Sequence, residues 1–474
     1  MTSQLIPENT SKTLKSNSFT APSGNIFIGW MTEESRATNT VVYTNQATYT
    51  TPTTVTPGGS ITLYAKWGPR YTIVYNGNSP TGGSMVSRGT ELKHTNINEG
   101  STVNLYAPNY YKTNYGFVGW SPSSTATVGG IDPIYGPNEP ISAPSYDTYG
   151  EEISGTKTIT LYAIWQEADS TKTMQTFTAA DCQNLSQTTF NTSTGKITTP
   201  AGSVIALKDQ RDNNVYTVAR LADGKCWMTE NLRLEAANTV GNNQFNPSVT
   251  NESLAQGYGG VLTGLDGTEN SNFTDTTNAT PNNLYNSTNI TGSYPGYRFP
   301  RYNNNNTNTS LTASYNGTGS STYYSWYSYG NYYTWAAAMA NTTYYSSATG
   351  TSGSESAGTS ICPTNWTLPT SGTTTKDFGT LSRSYDGSGE NQSDTGTGDI
   401  MSNRFRSFPN NFLYSGYFSG SSAYYRGTYG NYWSRSAYSY YGSYYLSLGS
   451  TGGLRPSNDD FKHYGFSVRC LIGS

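Results

Sequence analysis

The sequence predicts a folded, β-rich or α+β protein in which two tandem repeats precede a larger, loop-rich domain. Its composition favours this fold class, because 41 of the 474 residues are tyrosine and 50 are glycine. Tyrosine favours strands, and glycine favours the turns between them. Disordered chains are poor in aromatic residues, so the aromatic content of 14% indicates a folded chain. Two short motifs that recur in the same order indicate tandem modules.

The charge balance argues against several classes of partner. The net charge is −3, the isoelectric point is near 5.5, and only 12% of the residues are charged. Nucleic-acid-binding proteins carry a clustered basic surface, which this composition does not supply. No stretch approaches the roughly 18 apolar residues of a membrane-spanning helix, so we expect no direct membrane insertion. The first residues lack the apolar core of a secretory signal, so we expect any signal and anchor to lie outside this chain.

The repeats are defined by two motifs. Residues 27–30 read Phe-Ile-Gly-Trp, and residues 117–120 read Phe-Val-Gly-Trp. A second motif, Ile-Thr-Leu-Tyr-Ala-X-Trp, follows each copy at residues 61–67 and 159–165. Apolar and polar residues alternate within this second motif, which predicts a strand with one buried face. The glycine before the tryptophan in each copy is expected to let the chain bend or pass closely.

These motifs resemble the Listeria–Bacteroides repeat, which is the B-repeat of internalin-type surface proteins. Under this resemblance residues 1–67 form an N-terminally truncated B-repeat, because the opening strand predicted at residues 71–75 has no counterpart in the first copy. Residues 70–166 form a second B-repeat, and residues 167–173 form a polar linker. The resemblance implies small β-grasp-like modules that occur in strings on bacterial surface proteins, where they act as spacers without a ligand.

The C-terminal part of the chain shows few regular elements. A hairpin is predicted from residues 215–221 to residues 226–228, with its turn at Asp223-Gly224. Short helices are predicted at residues 334–340 and at residues 374–381. Residues 240–320 are rich in Asn, Thr, Ser and Gly and are predicted to be long loops. In a predicted last strand, Phe466, Val468 and Cys470 point inward, and Ser467 and Arg469 point outward.

Five blocks in this region resemble the Fibrobacter succinogenes major paralogous domain. The blocks are residues 207–232, 329–335, 361–369, 431–434 and 464–470. The resemblance implies that residues 174–474 form a C-type-lectin-like domain, similar to formylglycine-generating enzymes in fold, of the kind found on secreted and surface-attached proteins. Two positions depart from the family pattern: Asn213-Asn214 replaces a segment that often contains glycine, and Thr367 stands where histidine is common.

The four cysteines predict two disulfides in an oxidising compartment. They are Cys182, Cys226, Cys362 and Cys470, and none belongs to a C-x-x-C pair. With only two histidines in the chain, the clustered ligands of a zinc site are absent from the sequence, and we expect no cofactor. Four cysteines allow three connectivities. Of these we favour Cys182–Cys226 and Cys362–Cys470, since the second would tie the last strand to the body of the domain.

Residues 412–450 are the candidate binding segment. They are rich in Tyr, Ser, Gly and Asn, as antibody paratopes are, because tyrosine supplies a large amphipathic contact area at low entropic cost. The predicted ligand-binding residues are Tyr424, Tyr425, Arg426, Tyr429, Tyr432, Trp433, Arg435, Tyr438, Tyr440 and Tyr445. A glycan or a protein on another cell surface is the expected partner. The alternative is ordinary packing, in which Tyr444, Leu446 and Leu448 fill the inner face of a strand.

Calcium binding and catalysis are both weakly indicated. Asn458 with Asp459 and Asp460, and Asp209 with Asp212, supply oxygen ligands, but neither group matches a calcium-binding loop, and turn capping is the favoured role. His94 lies in a repeat and His463 stands alone, so no base is placed beside a nucleophile. Nothing in the sequence places Glu230 beside Asp377 as a catalytic pair. We therefore predict no enzymatic activity and no catalytic residues.

The sequence as a whole predicts a bacterial cell-surface adhesin or ligand-binding protein. In this interpretation the repeats form a stalk that presents the lectin-like domain and its Tyr/Ser/Gly/Asn-rich surface outside the cell. One alternative is a hypervariable lectin-fold receptor diversified by a retroelement, since the variable-looking segment is bounded by the framework residues Gly465–Cys470. The other alternative is a purely structural surface-layer or stalk protein.

Overall fold

The computed structural model has 42% strand and 9% helix, so the predicted β-rich class is confirmed. The structure describes residues 3–7, 9–22, 25–37, 41–51, 58–87, 90–98, 101–142, 151–153, 156–211, 213–233, 297–298, 326–330, 332–333, 335–339, 360–391, 397–419, 422–439, 442–450, 453–462 and 464–473. The loops predicted at residues 240–320 lie outside these ranges, except for Tyr297 and Arg298. Within the ranges above, no helix is both long enough and apolar enough to cross a membrane.

Among the described residues before residue 174 there are fourteen strands and one helix. They are β1 (Ser11–Thr13), β2 (Asn25–Met31), α1 (Glu33–Ala37), β3 (Thr48–Thr50), β4 (Tyr64–Asn76), β5 (Gly82–Gly83), β6 (Val86–Ser87), β7 (Thr90–Glu91), β8 (His94–Asn98), β9 (Thr102–Asn104), β10 (Tyr110–Tyr111), β11 (Tyr115–Ser121), β12 (Pro140–Ser142), β13 (Glu151–Ile153) and β14 (Thr156–Thr173).

The elements after residue 174 include short helices. They are α2 (Ala179–Asn184), β15 (Thr189–Asn191), β16 (Lys196–Thr198), β17 (Val204–Lys208), β18 (Val215–Arg220), β19 (Cys226–Met228), β20 (Tyr297–Arg298), α3 (Trp326–Tyr329), β21 (Tyr332–Tyr333), α4 (Trp335–Ala338), α5 (Asp377–Ser384), α6 (Thr397–Arg406), β22 (Tyr417–Ser419), β23 (Ser422–Tyr424), β24 (Tyr429–Ala437), β25 (Gly442–Gly449), β26 (Gly453–Phe461) and β27 (Leu471–Ile472). Helix α4 lies within the first segment predicted to be helical, and α5 overlaps the second but begins and ends three residues later.

The chain divides into two compact units. The first contains residues 1–75, 93–103 and 141–161, and the second contains residues 76–92, 104–140 and 162–474. Residues 167–173, assigned to a linker from their composition, are the last seven residues of strand β14. The opening strand predicted at residues 71–75 is likewise part of the longer strand β4.

In the first unit, the two repeat motifs pair with each other. Strand β2 runs antiparallel to β4, with Phe27 opposite Trp67 and Trp30 opposite Ala65. A β-bulge between Phe27 and Gly29 turns the Trp30 side chain into a small core. The ring of Phe27 lies 4.7 Å from that of Trp30 and 5.7 Å from that of Trp67, so three motif aromatics form one cluster.

The second unit contains the same arrangement in the second copy. Phe117 of β11 lies opposite Trp165 of β14, Trp120 lies opposite Ala163, and the bulge again falls between Phe117 and Gly119. The ring of Phe117 is 5.3 Å from that of Trp120 and 5.6 Å from that of Trp165. The two copies therefore share their strand register as well as their sequence motifs.

The motif glycines are required because a third chain segment passes against them. Trp30 N donates to the Tyr43 carbonyl at 2.7 Å, and Trp120 N donates to the Tyr135 carbonyl at 2.8 Å. A Cβ atom on Gly119 would lie 2.6 Å from this same Tyr135 carbonyl oxygen and 2.6 Å from Ile134 Cγ2. The expectation that the glycine permits close passage is confirmed.

The predicted alternation in the second motif is only partly observed. In the second copy Ile159, Leu161 and Ala163 are buried, while Thr160 and Tyr162 are partly exposed. In the first copy Ile61 is exposed, and residues 63–67 are all partly exposed without alternation. The pattern predicts a strand correctly, but the first unit does not cover one of its faces completely.

A mixed sheet forms the centre of the second unit. β14 pairs with β11 in antiparallel fashion and with β17 in parallel fashion, where Ala168 lies opposite Ala206. β17, β18, β19 and β27 continue the sheet in antiparallel order. The predicted hairpin between β18 and β19 is confirmed, with Arg220 opposite Cys226. A separate antiparallel sheet consists of β24, β25 and β26.

Both favoured disulfides are confirmed. Cys182 of α2 is bonded to Cys226 of β19, with Cα atoms 5.8 Å apart. Cys362 is bonded to Cys470, which directly precedes β27, with Cα atoms 5.7 Å apart. All four cysteines are buried in one hydrophobic cluster with Trp335, Trp433 and Phe466, so each bridge joins segments of the same core.

The prediction that Ser467 and Arg469 point to solvent is wrong, since both are fully buried. Arg469 Nε donates to Asn231 Oδ1 at 2.8 Å, and Nη1 donates to the Asn410 carbonyl at 2.6 Å. Its guanidinium also lies 4.3 Å from the Phe412 ring centroid. Burial lowers the pKa of Arg469 to about 10, so the residue remains charged inside the domain. The alternation of residues 466–470 correctly identified Phe466, Val468 and Cys470 as buried, but other parts of the domain also cover the opposite face of this segment.

We expect Gly119→Ala to destabilise the second unit by about 1–3 kcal/mol, because the new Cβ atom would collide with a backbone carbonyl that cannot move freely. Urea denaturation followed by tryptophan fluorescence measures the change. Gly473→Ala is the matched control, since nothing lies within 4 Å of a Cβ atom at that position. An unchanged midpoint for Gly119→Ala would contradict the assigned close passage.

The hairpin turn contains a carboxyl group with a raised pKa. Asp223 accepts a hydrogen bond from Trp227 Nε1 at 3.0 Å and another from Lys225 N at 3.2 Å. Burial nevertheless raises the pKa of Asp223 to about 7, and the nearby Asp377 acts in the same direction. The folded form therefore holds this proton more tightly than the unfolded chain does.

Because the pKa of Asp223 is higher in the folded state, its contribution to stability is complete at acid pH and is lost as pH rises through about 7. The unfolding free energy of the parent should fall when the pH is raised from about 5 to about 7.5. We expect that fall to be smaller in Asp223→Asn, which lacks the titrating carboxyl group. Denaturation curves at both pH values test this, with Asp459→Asn at an exposed position as control. Equal losses in the parent and in Asp223→Asn would exclude Asp223 as the titrating group.

Candidate functional site

The candidate site is built on the hairpin of β22 and β23. Tyr417 and Tyr424 face each other across the two strands, with ring centroids 5.5 Å apart and an interplanar angle of 27°. Tyr464, from the segment before β27, stacks on Tyr417 with the same distance and angle. Tyr425 packs at 5.9 Å from Tyr417, and its ring edge meets Tyr429 at 5.4 Å. These five residues are called the tyrosine surface.

Two members of the tyrosine surface are strongly exposed. Tyr424 is 43% exposed and Tyr425 is 58% exposed, while Tyr417, Tyr429 and Tyr464 are partly exposed. Beneath them, Tyr417 meets the buried Phe466 edge-on at 5.9 Å. The exposed rings are therefore supported by the hydrophobic core and present a firm aromatic face.

The turn after β23 holds Tyr425 in an unusual backbone conformation. Its φ is +54°, a left-handed value that non-glycine residues seldom adopt. The turn is closed by hydrogen bonds from Thr428 N to the Tyr425 carbonyl at 3.1 Å and from Gly427 N to the Tyr414 carbonyl at 2.8 Å. A locally unfavourable conformation that the surrounding bonds maintain is a common feature of binding sites.

Arg426 anchors this turn from below. Its Nε donates to Tyr332 Oη at 2.7 Å, and its guanidinium lies 5.3 Å from the Tyr332 ring centroid. Arg426 is buried, and its contacts support the turn that carries its exposed neighbour Tyr425. Contact of Arg426 itself with a ligand stays a prediction.

One hydroxyl group of the tyrosine surface, that of Tyr417, has a raised pKa. Burial raises the pKa of Tyr417 to about 12, and Tyr464, Tyr425 and Asp460 act in the same direction. Burial also raises the pKa of Asp460 to about 6 against a hydrogen bond from Phe461 N. At neutral pH the surface therefore offers phenolic donors beside one carboxylate, a combination suited to hydroxyl-bearing or amide-bearing ligands.

Three more of the predicted binding residues are buried in the core. Trp433 Nε1 donates to the Tyr333 carbonyl at 2.7 Å, and its ring stacks on Phe466 at 4.1 Å. Tyr432 Oη donates to the Leu413 carbonyl at 3.0 Å, and Tyr445 Oη accepts from Asn458 Nδ2 at 2.6 Å. For these residues the packing alternative describes the structure, because a sheet between two hydrophobic clusters leaves neither face open.

The remaining predicted ligand-binding residues are Tyr438, Arg435 and Tyr440, and none of them belongs to the tyrosine surface. Tyr438 is exposed, and its ring meets Tyr444 edge-on at 5.2 Å. Arg435 is half-buried and donates from Nη1 to Thr367 Oγ1 at 2.9 Å, at the position where the resembled family carries histidine. Tyr440 lies outside the described residues. Of the ten predictions, Tyr424, Tyr425 and Tyr429 are brought together.

Sequence reasoning missed Tyr417 and Tyr464. Tyr417 was detectable, because a short hairpin around residues 419–422 places it across from Tyr424 as a cross-strand aromatic pair. Tyr464 had no local signal. It reaches the surface only because the segment before β27 returns to the hairpin, and that is a tertiary contact.

Three of the candidate carboxylates for catalysis or calcium binding, those of Glu230, Asp377 and Asp209, are engaged in separate networks. Glu230 accepts from Thr217 N at 2.8 Å and pairs with Arg233 at 3.1 Å. Asp377 pairs with Lys225 and accepts from Thr370 N at 2.7 Å. Asp209 is held by Arg211 at 2.6 Å, and Asp212 and His463 lie outside the described residues. In the described part of the chain, no three His, Cys, Asp or Glu side chains are grouped as a metal site would require.

Comparison with known proteins identified no relative of this chain. No protein-family model matches the sequence, and neither the curated proteins nor the solved structures that were compared with it provide a match.

Proposed function

We propose that this chain is a non-enzymatic binding protein of the bacterial cell surface, and that the tyrosine surface contacts a glycan or a protein on another cell. One observation carries the proposal: Tyr424, Tyr417 and Tyr464 form a continuous stack that ends in the exposed ring of Tyr424. Large exposed aromatic faces with phenolic donors are typical of recognition surfaces, since they bury much area at little entropic cost. The apolar faces of sugar rings suit the same geometry.

The cellular location is part of this proposal. Two disulfides favour an oxidising compartment such as the outside of the cell. We further propose that the two motif copies are B-repeats of the internalin type and that the segment after them is a C-type-lectin-like domain. Support for the first assignment comes from the register, because the bulge and the paired aromatics fall at equivalent positions in both copies.

The tyrosine surface is tested by a double substitution, Tyr424→Ala with Tyr425→Ala, in the whole chain. Parent and variant are applied to glycan and protein arrays, and the affinity for each hit is then measured by titration. We expect the double variant to lose at least roughly tenfold in affinity, since aromatic residues at interface centres often contribute 2 kcal/mol or more. Circular dichroism confirms that both proteins remain folded.

Phe19→Ala is the matched control, because Phe19 is an aromatic residue of similar exposure, 47%, in the first unit. It should bind as the parent does. Equal affinity of the parent and the Tyr424/Tyr425 variant would overturn the assignment of the surface. A parent protein that binds nothing on either array would instead favour the purely structural alternative.

A further inference from the structure

The second unit also contains a cleft that, unlike the aromatic tyrosine surface, is lined by several charged residues. Its volume is about 550 Å³, within the size range of small-ligand sites. Three segments line it: residues 127–139 after β11, residues 195–200 around β16, and residues 404–408 at the end of α6. None of the five members of the tyrosine surface lines this cleft, so it is a separate feature of the unit.

Arg404 supplies the most specific group in the cleft. One nitrogen, Nη1, donates to the Tyr385 carbonyl, and the guanidinium lies 4.5 Å from the Phe190 ring centroid, which fixes its orientation. The second nitrogen, Nη2, has no acceptor among the described residues. Gly195 stands opposite it with a φ of +66°, and a Cβ atom there would lie 4.0 Å from Nη2. The free edge of a held guanidinium suits a planar carboxylate.

Other cleft residues complete this chemistry. Lys196 is exposed and forms no ion pair with a described residue, so the wall holds a second cation, whereas Arg404 pairs through Nη1 with Asp386 at 3.8 Å. The Thr198 hydroxyl offers a hydrogen bond, the Ser407 hydroxyl can accept one while it donates to the Asn403 carbonyl at 3.0 Å, and Phe408 and Ile134 offer apolar contact. Cations, hydroxyls and an apolar side within one small cleft correspond to the carboxylate, the hydroxyls and the ring C–H face of an acidic sugar.

We propose that this cleft binds an acidic saccharide through its carboxylate, with Arg404 and Lys196 as the recognising cations. The assignment does not depend on the tyrosine surface, because it uses different residues and a different ligand chemistry. It gives the protein a small-ligand site in addition to its proposed contact surface.

Three acidic groups surround the proposed cations: Asp132 and Glu139 line the cleft, and Asp386 Oδ2 lies 3.8 Å from Arg404 Nη1. Glu139 accepts from Gly136 N at 2.5 Å and from Phe408 N at 3.1 Å. Burial raises the pKa of Glu139 to about 7, although these bonds and the nearby Arg406 oppose the rise. As pH falls through about 7, protonation of Glu139 removes a negative charge from the cleft that Arg404 and Lys196 also line. An anionic sugar should therefore bind more tightly at about pH 6 than at about pH 8.

The test uses the whole chain and two probes, digalacturonate and the neutral galactobiose of the same linkage, in calorimetric titrations. We expect digalacturonate to bind and galactobiose to bind at least roughly tenfold more weakly. Lys196→Gln should weaken digalacturonate binding roughly three- to fivefold, as for one partly screened ion pair. Thr198→Trp, at an exposed wall position, should abolish binding by filling the cleft. Glu139→Gln should remove the pH dependence, since its amide oxygen still accepts both backbone bonds.

Two controls separate this site from the rest of the molecule. Lys12→Gln changes an exposed lysine of the first unit and should leave binding unchanged. The Tyr424/Tyr425 double variant should also bind digalacturonate normally, so failure of one proposal leaves the other intact. The proposal is overturned if digalacturonate does not bind, if galactobiose binds equally well, or if Thr198→Trp and Lys196→Gln both retain the parent affinity.

Discussion

The second unit depends on residues 162–173 of strand β14. Residues 162–167 pair with β11, and Ala168 pairs with Ala206 of β17, so one strand carries the second repeat motif and also begins the C-terminal sheet. Side chains of the C-terminal part then satisfy the motif backbone: Thr217 Oγ1 donates to the Phe117 carbonyl and Asn411 Nδ2 to the Val118 carbonyl, both at 2.9 Å. Buried carbonyl groups need hydrogen-bond partners, so these two bonds favour one defined packing of the motif strand against the C-terminal part.

The tyrosines of the candidate binding segment either pack in the core or lie at the surface. The position of each tyrosine relative to the two hydrophobic clusters decides between these two places. Along β24 and β25, successive residues such as Tyr432 and Trp433 enter different clusters, so rings on both faces are buried. On the hairpin of β22 and β23, the described residues leave the Tyr424 ring exposed and the Tyr417 ring partly exposed. Composition left both ligand binding and core packing open for this segment, and the layering shows which of its rings are packed in the core.

Much of the fold was predictable from local patterns. The paired motifs, the β18–β19 hairpin and the two disulfides followed from alternation, turn residues and cysteine count. Asn213 even keeps the conformation that glycine usually has there, with a φ of +64°, because asparagine tolerates it. Burial of Arg469 and arrival of Tyr464 at the candidate site were not predictable, since both depend on segments distant in sequence that cover or approach them.

The Cys362–Cys470 bridge has a mechanical consequence. It encloses a span of 108 residues that includes the whole candidate binding segment. If adhesion puts the chain under tension from its ends, the load bypasses this span through the covalent bond. About 360 Å of contour length then stays locked at roughly 3.3 Å per residue. A contact surface inside such a loop can keep its shape while force extends the chain elsewhere.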